Sequence, residues 1–72
     1  MPIAPYQARV IDEKSELDAR ILRLKGFIDH NAAFPRLQPL QQDLMKRQLW
    51  VMTAYSTCLR ERIDLWNLPS DQ

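Results

Sequence analysis

Pro35 and Pro39 stand close together near the middle of a 72-residue chain. Neither can sit inside a helix, because the ring lacks an N–H and clashes with the preceding turn. The stretch HNAAFPRLQP around them separates two long segments, each free of internal proline. The whole chain has one glycine and shows no strand-like alternation, so both segments read as helices. The fold class expected is all-α: an antiparallel helical hairpin with a short N-terminal lead, assembling into a helical homo-oligomer. It makes a single domain over 1–72, with a helix over about 6–29, a linker over about 30–38 and a helix over about 39–66.

In the first segment Val10, Leu17, Ile21, Leu24 and Ile28 recur at helical spacing, and Lys14 falls on the same stripe. Asp12, Glu13, Glu16, Asp18 and Arg20 are assigned to the opposite, wet face. Pro5 suits the first turn of this helix. Phe34 and Leu37 are read as plugs that tie the connection over the helix ends, and NLPSDQ as a frayed tail.

The second segment is apolar over more than one face. One stripe runs Met45, Leu49, Met52, Ser56, Leu59, Ile63, Trp66; beside it run Leu40, Leu44, Val51, Tyr55, Cys58 and Leu65. Two adjacent stripes are wider than one partner helix can cover, so a lone hairpin would leave one in water. A chain this short also buries a limited fraction of its surface. With a single cysteine it has no internal disulfide to compensate. Self-association is the expected remedy, with the second helix central and Ala54, Ser56 and Thr57 permitting close approach.

The formal charge is +1, without the basic excess of a non-specific DNA binder. Apolar runs are too short to span a bilayer and the N-terminus has no signal-peptide pattern, so a soluble protein of a reducing cytoplasm is expected. There is no glycine-rich phosphate loop, no paired-histidine motif and no serine–histidine–acid set. The reading is therefore of a non-enzyme, with no catalytic residue, no metal and no cofactor. His30, the one histidine, lies at a helix exit where a cation favours the C-terminus. Cys58 is read as a small packed hydrophobe.

Five residues are candidates for ligand binding: Tyr6, Arg9, Arg23, Lys25 and Arg62. Tyr6 and Arg9 share a helical face, offering an aromatic plane and a guanidinium; from spacing alone, Tyr6 as a staple on the next turn is favoured. In RLKGFI, Gly26 costs roughly 1 kcal/mol of helix stability relative to alanine, which suggests close approach of another chain or a ligand. Arg23 and Lys25 flank Leu24 and either border a groove between protomers or solvate the stripe's edges. Arg62 lies on the second apolar stripe, where it must snorkel, pair with an acid or meet an anion. Pairing with an acid of a neighbouring helix is favoured for Arg62, and likewise for Lys14.

The ordered set Arg9-Val10, Glu13, Leu17, Arg23, Leu24, Phe27-Ile28, Phe34, Gln41, Leu44, Gln48, Met52, Tyr55, Leu59 and Arg62-Ile63 resembles a family of small phage proteins. These are the anti-CBASS sponges, including relatives among the T4 early genes, and the resemblance spans residues 6–63. It implies a hexamer that sequesters the cyclic oligonucleotides of bacterial antiphage defence without cleaving them, in the cytoplasm of the infected host. Cyclic dinucleotides would lie between protomers, and cyclic trinucleotides in separate pockets in some members. The resemblance also implies a tyrosine near the start of the first helix and a basic residue near its end as dinucleotide contacts. Tyr6 and Arg23 with Lys25 are the candidates here, with Arg62 on a phosphate. Membrane and DNA are not expected partners. The rival readings are a helical oligomeric interaction or structural protein without a nucleotide ligand and, third, a small nucleic-acid-binding regulator.

Overall fold

The computed structural model describes residues 3–66. It is an antiparallel pair of helices, α1 (Pro5–His30) and α2 (Pro39–Leu65), joined through a 3-10 turn at Phe34–Arg36. No strand occurs among the described residues. The expected frayed tail NLPSDQ lies outside them.

Both helices start on proline at a position whose N–H would have no helical partner. Ala4 lacks a side-chain cap, and its backbone N–H instead donates to Gln7 Oε1 at 2.9 Å. At the other end of α1, Asn31 Oδ1 accepts from the Ala33 N–H at 2.8 Å, which turns the chain toward α2. The amide of Gln42 donates to the carbonyls of Leu37 (2.8 Å) and Pro35 (3.2 Å), fastening the connection to the first turn of α2. Phe34 plugs this end: it is buried and meets Phe27 edge to face at 6.1 Å. Leu37, the other expected plug, is half-buried.

The shared core consists of Val10, Leu17 and Leu59, with Ile21, Met52, Ile63 and Trp66 packed around it. Leu59 retains 1% of its exposure, and burying a leucine so fully contributes roughly 1.5–3 kcal/mol. Every member of the Met45–Trp66 stripe is buried or half-buried. The parallel stripe is not: Leu40, Leu44, Val51, Tyr55, Cys58 and Leu65 are all exposed. A single α1 covers one face of α2 and leaves the second bare.

Three expectations need correction. Lys14 does not pair with an acid of the other helix. Its ammonium donates to Asp18 of its own helix at 2.7 Å, and α2 supplies only the Ser56 hydroxyl, at 3.2 Å. Asp18 is exposed, as expected, but it is not on the face opposite α2: it sits at the interface edge and accepts from Ser56 at 2.5 Å. The hydroxyl in the middle of an apolar stripe makes this possible, since it can accept from the cation and donate to the anion. Cys58 is exposed within the chain rather than packed, because it lies on the uncovered stripe. The position of Gly26, where another chain or a ligand is expected to approach, is open in the hairpin: outside its own helix backbone, no heavy atom lies within 4 Å of where its Cβ would stand.

Candidate functional site

Because the helices run antiparallel, the start of α1 and the end of α2 lie together at the open end of the hairpin. Tyr6 and Trp66 meet there edge to face, with centroids 6.0 Å apart and planes at 84°. Tyr6 therefore packs against the opposite helix end. It keeps 52% of its exposure, and Trp66 is half-buried against the core. Arg9 lies three residues after Tyr6 and Arg62 four before Trp66, spacings that put each arginine on the same side of its helix as its aromatic neighbour.

Both arginines are exposed, and neither takes part in an ion pair among the described residues. The lysines differ. Lys14 is held by Asp18 and Lys25 by Asp29, each at 2.7 Å and within one turn. The Lys14 and Ser56 contacts hold the Asp18 carboxyl below the usual carboxylate range, and Lys25 does the same for Asp29. Lys46 lies 5.9 Å from the centre of the Phe34 ring. The open end thus combines two aromatic planes with two guanidiniums that no acid among the described residues neutralises through an ion pair.

The five candidate residues do not converge within one chain. Tyr6, Arg9 and Arg62 share the open end. Arg23 and Lys25 lie about 21–24 Å farther along α1 than Arg9, at the helical rise per residue. They also flank Leu24 on different sides of the helix, so one small ligand cannot touch both on the same protomer. Arg23 is exposed with no ion-pair partner among the described residues, whereas Lys25 is already engaged.

Sequence reasoning placed Trp66 on the core stripe and missed its second role, as the ring that meets Tyr6. The signal was available: a hairpin of two helices of nearly equal length brings residues 6 and 66 to the same end. Trp50 was also missed. It belongs to neither apolar stripe and retains 73% of its exposure. Among the described residues there is no grouping of histidine, cysteine and acidic side chains able to hold a metal ion, and no helix is long and apolar enough to cross a membrane.

No curated protein and no solved structure matches the chain. A family model described as Sequestin matches residues 4–65, from the N-cap of α1 to the last residue of α2. That name speaks of sequestration, a binding role without turnover, and it agrees with the phage sponge family whose motifs the sequence resembles. With nearly the whole hairpin inside the match, the chain belongs to the Sequestin family.

Proposed function

We propose that this protein is a non-enzymatic sponge. It binds cyclic oligonucleotide messengers, cyclic dinucleotides and in a separate pocket cyclic trinucleotides, and so keeps them from the effectors of CBASS immunity in the infected cell's cytoplasm. The observation that carries this reading is the open-end cluster of Tyr6, Trp66, Arg9 and Arg62. A cyclic dinucleotide carries two phosphates and two bases. Stacking a base on an aromatic side chain is worth roughly 1–3 kcal/mol, and a guanidinium reads a phosphate through paired N–H donors. Such a ligand needs a few cations in the right place and no basic surface, consistent with a formal charge of +1.

In this reading the protomers assemble into a homo-oligomer, a hexamer by the family resemblance, through the bare face of α2. Arg23 and Lys25 act on ligand held between chains, and Gly26 is where a neighbouring chain approaches. A symmetric ligand suits a two-fold contact to which each protomer brings the same residues.

Calorimetric titration with a panel of cyclic di- and trinucleotides tests the proposal. Saturable binding of at least one, with the ligand recovered intact and binding weakened in Arg9→Ala and Arg62→Ala, is the expected result. The exposed apolar stripe of α2 favours a second reading, an oligomeric interaction protein with no nucleotide ligand. Silence across the whole panel at high micromolar concentration would leave that reading in place of the sponge.

A further inference from the structure

The side of α2 turned away from α1 is built for a particular neighbour. Arg47, Ala54 and Glu61 recur every seven residues along it, and all three are exposed. Trp50 and Val51 flank this line with 73% and 53% of their exposure remaining. Residues seven apart stay on one side of a helix, so the line is straight enough to meet a second helix along four turns. At its centre is alanine, small enough for two backbones to approach. On one side of the alanine is a cation and at equal distance on the other an anion. Neither Arg47 nor Glu61 takes part in an ion pair among the described residues.

From this pattern we infer that α2 packs antiparallel on α2 of a second copy, about a two-fold axis passing beside Ala54. The axis carries residue 54 − n of one copy onto the level of residue 54 + n of the other. Arg47 of each copy then faces Glu61 of its mate, giving two identical ion pairs across the contact. On one flank Val51 meets Cys58 of the mate, and on the other Trp50 closes over the seam. A parallel pairing would instead set Arg47 against Arg47 and Glu61 against Glu61, so the charges select the antiparallel arrangement. The occupant is a second copy because the same patch is self-complementary, the condition a two-fold contact requires. The core of the lone hairpin supplies the need, with Val10, Leu17 and Leu59 as its buried cluster.

The contact deepens the oligomer in the proposed function and is independent of the nucleotide ligand. Charge reversal tests it on the full chain by sedimentation or light scattering. Arg47→Glu alone and Glu61→Arg alone are each expected to reduce the solution mass, and the double variant Arg47→Glu/Glu61→Arg to restore it. Both positions are exposed, so circular dichroism and melting show that the hairpin itself survives each change. Single variants that keep the wild-type mass, or a double variant that stays small, overturn the contact while leaving self-association through other residues intact. A wild-type monomer at micromolar concentration overturns the oligomer and this contact together.

Discussion

The two ends of the hairpin carry the same aromatic geometry in different surroundings. At the connection Phe27 and Phe34 meet edge to face at 6.1 Å and 89°; at the open end Tyr6 and Trp66 meet at 6.0 Å and 84°. The first pair lies under a closed turn, with Phe34 at 6% exposure and Lys46 over its ring. The second is open to solvent, has a phenol and an indole N–H where the first has only hydrocarbon, and is flanked by two arginines without ion-pair partners among the described residues. One arrangement therefore serves two purposes. A pair of phenylalanines with one ring buried can only hold the chain together, whereas a more exposed pair with polar handles and nearby cations can also receive a ligand.

If that contrast is right, substitutions at the two ends should separate stability from binding. The largest effect is expected at the connection. Phe34→Ala should cost about 3–5 kcal/mol, since a buried ring is replaced by a cavity, and urea unfolding would measure it. A cost below about 1 kcal/mol would show that the plug is dispensable. At the open end the order reverses. Tyr6→Ala should weaken cyclic-nucleotide binding by roughly 1–3 kcal/mol in calorimetric titration, the worth of one stacking platform. Its unfolding free energy should move far less, because half of the ring is already in water. Equal losses in both measurements would make Tyr6 merely structural.

The smallest effect concerns the polar contact midway between the ends. Asp18 has a folded-state pKa below its unfolded value, so its stabilisation is present above the unfolded pKa of about 3.8 and disappears as pH falls through the folded value. Its carboxylate is largely open to solvent, and screening keeps the contribution to about 1 kcal/mol or less. Wild-type stability should therefore be flat between pH 7 and pH 5 as far as this group is concerned, and Asp18→Asn should flatten part of the loss seen at lower pH. An unchanged acid limb in Asp18→Asn would assign that loss to other groups, Asp29 with its similarly lowered pKa among them.

What could be read from the sequence follows from what periodicity measures. Spacing fixes the angle of each side chain around its own helix, which is why the Met45–Trp66 stripe and its bare companion were both legible. The prolines gave the punctuation, and Pro5 and Pro39 indeed open the two helices. Periodicity does not fix how far one helix slides along another. The pairing of Tyr6 with Trp66 and the meeting of Lys14 and Asp18 with Ser56 depend on that slide, which is set by how tightly residues 31–38 turn. Asp18 was misplaced for a related reason: a charged residue at the border of a dry face is solvated or paired according to what the opposite helix presents, here a hydroxyl. Trp50 escaped notice because its face has no partner within the chain, and an isolated large apolar residue leaves no period behind.

The antiparallel connection also gives the molecule a direction in time. Contacts beside the turn join residues a few positions apart, as in Phe27 with Phe34, while the Tyr6–Trp66 contact closes nearly the entire chain. Closing the large loop first would cost more entropy than closing it after the rungs beneath are in place. The hairpin is thus expected to zip from the connection outward, with the open end the last rung to form and the first to fray. A ligand bound across that rung would clasp the two chain ends, and amide exchange near Tyr6 and Trp66 should slow on binding more than exchange at the connection.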